Sequence, residues 1–147
     1  MTMPPTQKNI ILYADDDPDD LELVQEAFRK YAANVDVLTA TDGSQALSYL
    51  LSINEGEPTP CLIILDINMP MLSGKDVLVR LRQEERFEAT PVVLFTTSSM
   101  SLDAQFAKHY NAGFITKPLD SSQMRKITEQ FIRHCTEDIQ KLIKRTL

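Results

Sequence analysis

Short apolar runs alternate with longer segments of helical period along the chain, and this alternation restricts the fold more than any other feature. The runs are N-I-I-L-Y-A at 9–14, V-D-V-L-T-A at 35–40, C-L-I-I-L-D at 61–66, V-V-L-F-T-T at 92–97 and G-F-I-T-K at 113–117. The third and fourth are almost uninterrupted, as expected of strands covered on both faces. Between the runs, Leu21, Val24, Phe28 and Tyr31 recur at spacings of three and four. Ala46, Leu47, Leu50 and Leu51 do the same, then Val77, Leu78 and Leu81, then Leu102, Phe106 and Tyr110. From Ser121 onward the period runs through Met124, Ile127, Phe131 and Cys135. Helix starts are expected at Asp17 with Pro18 behind it, Asp42, Ser73, Ser101, and Asp120 or Ser121.

Five strand–helix pairs in strict alternation predict an α/β fold, a doubly wound five-stranded parallel sheet with right-handed crossovers. The 147 residues suit a flavodoxin-like strand order 2-1-3-4-5 with five helices. A closed barrel would need eight pairs and about 250 residues. One domain over residues 1–147 is expected, with a core at about 8–134 and a final helix at about 120–145.

Composition narrows the function. The net charge is −6, which disfavours a nucleic-acid partner. Lys141, Lys144 and Arg145 are read as a solvated helix end. No stretch approaches the ~20 apolar residues of a membrane span, and the first residues lack the apolar core of a secretory signal. Cys61 and Cys135 are too few and too far apart in sequence for a disulfide framework, so a reducing cytoplasm is the natural setting. His109 and His134 have no partners at metal-binding spacing.

In a sheet of this order, ligands bind beyond the C-terminal strand ends. Those ends carry Asp15, Asp16 and Asp17 after the first strand and Asp66 after the third. Thr96 and Thr97 end the fourth, and Lys117 with Pro118 the fifth. Crowded carboxylates repel unless something compensates them, and a hard divalent cation with oxygen ligands does so. A spare carboxylate can then serve as nucleophile, with a lysine and a hydroxyl on the phosphoryl oxygens. The set reads as an Mg²⁺-dependent aspartyl-phosphate site. Taken singly, each residue has a simpler reading: Asp15 to Asp20 as a helix-capping cluster, Asp66 as a turn residue. The simpler readings explain the combination at four strand ends poorly. Asp15, Asp17, Asp19 and Glu26 also match positions of an EF-hand loop, but Asp20 replaces its glycine and Pro18 interrupts it.

These residues resemble the receiver domain of two-component response regulators. The resemblance lies in I-L-Y-A-D-D-D-P-D-D at 11–20, L-I-I-L-D-I-N-M-P at 62–70, V-V-L-F-T-T-S at 92–98, F-I-T-K-P at 114–118, and Gly74. It is nearest to stand-alone receivers of the kind paired with bacterial phytochrome histidine kinases. The resemblance implies Asp66 as phosphoacceptor, with Mg²⁺ held by Asp15, Asp16, Asp66 and the backbone carbonyl of Asn68. It implies Thr96 as switch hydroxyl, Phe114 as switch aromatic, Lys117 as the phosphate-pairing amine, and a cis Lys117–Pro118 bond. Phe114 stands where tyrosine is common, and Tyr110 where glycine is.

Three functions follow for testing. The first is a receiver that takes a phosphoryl group from a sensor histidine kinase and switches its face of helix four, strand five and helix five. The second is an Mg²⁺-dependent aspartyl-phosphate phosphatase, which would want an acid where Asn68 stands. The third is a non-phosphorylated docking receiver. Beyond Arg133 come Ile139, Leu142, Ile143 and Leu147, at least three of which continue the apolar stripe from Cys135. On one extended helix that stripe would project into water, so a homodimer through the same face is expected to cover it.

Overall fold

The computed structural model describes residues 8–145. In chain order the elements are β1 (Asn9–Ala14), α1 (Pro18–Ala27), β2 (Val35–Ala40), α2 (Gly43–Ser52), β3 (Leu62–Leu65) and α3 (Gly74–Gln83). β4 (Val92–Thr96), α4 (Ser101–His109), β5 (Gly113–Thr116), α5 (Met124–Arg133) and α6 (Glu137–Lys144) follow. The strands lie in the order β2-β1-β3-β4-β5, and all pairs are parallel. This is the flavodoxin-like arrangement expected from the alternation, with six α-helices among the described residues in place of five.

Successive strand residues face opposite sides of the sheet and feed two cores. Ile11, Tyr13, Ile64, Val93 and Phe95 pack with Val24 of α1, Phe28 just after it and Phe131 of α5. Leu12, Ala14, Ile63, Leu65 and Leu94 pack with Leu50, Val77 and Ala107 on the other side. Sequence capping signals act where expected. Asp17 accepts from the Asp19 amide, Asp42 from Gln45, and Ser73 forms a reciprocal capping box with Asp76. α4 instead starts behind Met100 without a side-chain cap, and Asp120 caps a short 3₁₀ turn ahead of α5.

The expected single helix over 120–145 is two helices. α5 ends at Arg133, and Thr136 starts α6 by accepting from the Ile139 amide, with Glu137 and Asp138 in its first turn. The turn folds α6 back onto the core of its own chain. Ile143 is fully buried in the core cluster that also holds Val35, Tyr31 and Phe28, and Ile139 packs against that cluster. The Asn34 side-chain amide donates to Ile143 O at 3.1 Å, and Lys144 pairs with Glu129 at 2.8 Å. Ile139 and Ile143 of the apolar stripe are therefore covered within the chain, while Leu142 stays 39% exposed, so the covered part of the stripe gives no argument for a dimer. Leu147 lies outside the described residues. Truncating Ile143 to Ala should cost about 2–4 kcal/mol, read as a lower urea midpoint at unchanged slope.

Among the described residues no helix is long and apolar enough to cross a membrane. Cys61 and Cys135 are free thiols that share the α1/α5 core. Cys61 lies just before β3 and is half-buried.

Candidate functional site

Backbone hydrogen bonds carry the parallel ladder one residue past the strands, and the candidate residues sit on those last rungs. The Asp15 amide donates to Ala40 O at 3.0 Å and the Asp66 amide to Ala14 O at 3.0 Å. The Lys117 amide donates to Thr96 O at 2.6 Å. Strand pairing thereby fixes two acids and an amine at one edge of the sheet. Gly74 lets α3 start close behind Asp66: its amide donates to Ile67 O at 3.1 Å, and a Cβ there would run into the Asp66 carbonyl.

The Lys117 ammonium is the hub. It lies 2.7 Å from Asp15 Oδ2, 2.8 Å from Asp20 Oδ2 and 3.1 Å from Asp66 Oδ2. Its side chain is only 9% exposed, and those of Asp15 and Asp66 are 0% and 8%. Burial alone would lower this amine. Hydrogen bonds it donates to Asp15 and Asp20, with the charges of Asp15 and Asp66, outweigh burial and hold it above its ordinary range. Burial and the Asp15 charge push Asp66 up to about 6, against the pull of Lys117 and the Asn68 amide. One cation thus faces more negative charge than it can balance.

Asp15 is held on every side. Its Oδ1 accepts from the Asp17 amide at 2.9 Å, and its Oδ2 accepts from the buried Tyr13 hydroxyl. Burial, then the Asp15 charge, raises the Tyr13 phenol far above its ordinary range, so it stays a donor. Carboxylate oxygens of Asp15, Asp16 and Asp66 lie within 4.8 Å of one another, with Asp16 exposed and the other two buried. Three hard oxygen donors around an uncompensated charge fit a small divalent cation with open positions toward solvent. The Asn68 amide donates to Asp66 Oδ1 at 3.3 Å, which brings its exposed loop against the acid.

Thr96 is fully buried at the end of the neighbouring strand, and its hydroxyl oxygen accepts from the Ser98 amide at 3.2 Å. Phe114 is half-buried against the α2/α3/α4 core. All described peptide bonds are trans, so Lys117–Pro118 is trans and not cis as expected. Trans is the ordinary isomer even before proline, by about 0.5–1 kcal/mol.

Two residues of the site are additions to the expected set. Asp20 was legible only as part of an acidic run, yet it is the one acid of α1 that reaches Lys117. Tyr13 was legible only as strand filler. Its position two residues before Asp15 puts both side chains on one face of the strand, and that signal was available.

A family model described as the response regulator receiver domain matches residues 11–129. The response regulator Rcp1 of Synechocystis is 32% identical over 124 residues, covering 82% of this chain and 84% of that protein. A probable methanogenesis regulatory protein, FilR2, of Methanothrix harundinacea is 31% identical over 124 residues, covering 82% of this chain and 79% of its own. The crystal structure of the phosphorylated cyanobacterial phytochrome response regulator RcpA superposes with a TM-score of 0.78 at 28% identity, covering 88% of this chain and 98% of that one. The Mn²⁺-bound form of Rcp1 superposes with a TM-score of 0.75 at 28% identity, covering 83% and 90%. With the family's five-stranded fold and a family match over most of its length, the chain belongs to the receiver domains of two-component response regulators.

Proposed function

We propose that this chain is a single receiver domain, a signalling protein rather than a metabolic enzyme, that accepts one phosphoryl group on Asp66 in an Mg²⁺-dependent reaction. The observation that carries this reading is the position of Asp66, 3.1 Å from a buried lysine and among two further carboxylates at a parallel-sheet edge. A carboxylate oxygen of Asp66 would attack the phosphorus of a phosphohistidine donor, forming the acyl phosphate as the P–N bond breaks and the imidazole leaves. Lys117 would then pair with the phosphoryl oxygens that its contacts with Asp15 and Asp20 already orient it to receive. Asp15, Asp16, Asp66 and the Asn68 carbonyl would hold the cation, which supplies charge stabilisation to the phosphoryl oxygens. Likeness to a phosphorylated receiver and to an Mn²⁺-bound one supports both parts.

The donor in this reading is a sensor histidine kinase. A phytochrome-type kinase is supported by the likeness to a phytochrome response regulator, and the cytoplasm is the setting such a kinase domain requires. Phosphorylation would draw the Thr96 hydroxyl toward Asp66 and let Phe114 follow, reshaping the α4–β5–α5 face. Leu102, 67% exposed on α4, offers that face an apolar contact for a downstream protein or a second copy of the chain.

Incubation with acetyl phosphate tests the chemistry. In millimolar Mg²⁺ the intact mass should rise by one phosphoryl group, and in excess chelator it should not. Equal labelling in both would contradict the metal's part, and no labelling in either would contradict the function. Mg²⁺ should also add about 1.4 kcal/mol of stability at ten times Kd, read as a higher melting temperature, and Asp16→Ala should erase that gain.

A further inference from the structure

Asp103 lies in the first turn of α4, where an acid ordinarily does no more than complement the helix dipole. Here its carboxylate joins two other elements. One oxygen pairs with the ammonium of Lys75, at the start of α3, and the other accepts from the Ser98 hydroxyl at 2.6 Å. The Asp103 side chain is 13% exposed and that of Lys75 32%, so the pair is only partly shielded from the solvent screening that weakens surface ion pairs. The Lys75 ammonium also lies 5.2 Å from the centre of the Phe106 ring, which steadies its stem against α4.

Ser98 is held by all of its polar groups. Its amide donates to Thr96 Oγ1 at 3.2 Å, and its carbonyl accepts from the Thr116 hydroxyl at 3.4 Å. Its hydroxyl, besides bonding Asp103, accepts from the Met100 amide at 3.2 Å. Lys75 directly follows Gly74, whose amide is bonded to the loop behind Asp66. The chain of contacts therefore runs from the Asp66 loop through Lys75, Asp103 and Ser98 to the Thr96 hydroxyl.

We propose that Asp103 is a positioning residue: by bridging Lys75 and Ser98 it latches the segment between β4 and α4, and with it Thr96, in the unphosphorylated arrangement. This inference rests on the reading of Asp66 and Thr96 given above. Drawing the Thr96 hydroxyl toward a phosphoryl group on Asp66 must either break its bond to the Ser98 amide or pull Ser98 away from Asp103. Contacts made in only one of two states bias the equilibrium toward that state. The latch therefore opposes phosphorylation, and loosening it favours the reaction.

Asp103→Asn and Lys75→Met test this with the full chain, acetyl phosphate and fixed Mg²⁺. The two substitutions change the local charge in opposite senses. A pure charge effect on an incoming anion would raise labelling in the first and lower it in the second. The latch predicts that both label faster than wild type, by about fivefold, the low end of ordinary coupling between sites. The double variant should gain no more than either alone, and Thr96→Ala should abolish the gain. Without phosphodonor, the Ser98 and Met100 amides should exchange with deuterium faster in both variants. Opposite shifts in rate, unchanged rates, or an equal gain in the Thr96→Ala background would overturn the proposal. A wild type that takes no label at all would count against the Asp66 reading. Amide exchange then decides the latch alone, and unchanged exchange would overturn it.

Discussion

Lys117→Met should lower the stability of the metal-free protein by about 3–5 kcal/mol, the ordinary result of removing one partner from a buried charge cluster. The methionine fills much the same space, so little of the loss comes from a cavity. The loss comes from Asp15 and Asp66, buried at 0% and 8% side-chain exposure, which would face each other without a cation. Asp20 is 26% exposed and can turn to water. A divalent cation can replace part of the missing charge. The deficit measured by urea unfolding should therefore be larger in chelator than in millimolar Mg²⁺. A deficit unaffected by Mg²⁺ would mean that packing, not charge, holds the site together.

Asp66→Asn should have the opposite sign in the metal-free protein. Asp66 is pushed up to about 6 when folded, against about 3.9 in an unfolded chain. Between those values the folded state keeps a proton that the unfolded state has released. Stability therefore falls as pH rises from about 4 through 6, and the part lost is about 3 kcal/mol at neutral pH. Asparagine cannot ionise, so it should be more stable than wild type at pH 7 and no more stable below pH 4. Lys117 keeps Asp15 and Asp20 in this variant and is not left unpaired. Thermal melts of both proteins in chelator across pH 4–7 measure the difference directly. Asp103 and Glu129, held below the ordinary range by Lys75 and Ser98 and by Lys144 and Tyr31, act at lower pH with the opposite sign. Subtracting the two curves removes their contribution.

The strands and the site edge were legible because each rests on local rules. Near-continuous apolar runs marked β3 and β4, and Asp17, Asp42 and Ser73 marked helix starts that their side chains do cap. Once the strand order is known, the strand ends must converge, which brings Asp15, Asp66 and Lys117 together. The break between α5 and α6 was hidden by periodicity. Cys135, Ile139 and Ile143 continue in step across it, and the Thr136-Glu137-Asp138 start signal sits inside that stripe. A stripe kept in phase shows that both helices use one face, not that they are one helix. Asp20 and the Lys75–Asp103 pair were out of reach for another reason. Their roles depend on side chains meeting across elements, and neither propensity nor spacing reports such meetings.

Asp66 as the sole phosphoacceptor is the central claim, and intact mass spectrometry of wild type and Asp66→Asn after acetyl phosphate and Mg²⁺ tests it most directly. Wild type should gain the mass of one phosphoryl group and the variant none, with the variant's fold verified by its higher metal-free melting temperature. A folded Asp66→Asn protein that labels as fully as wild type would contradict the assignment.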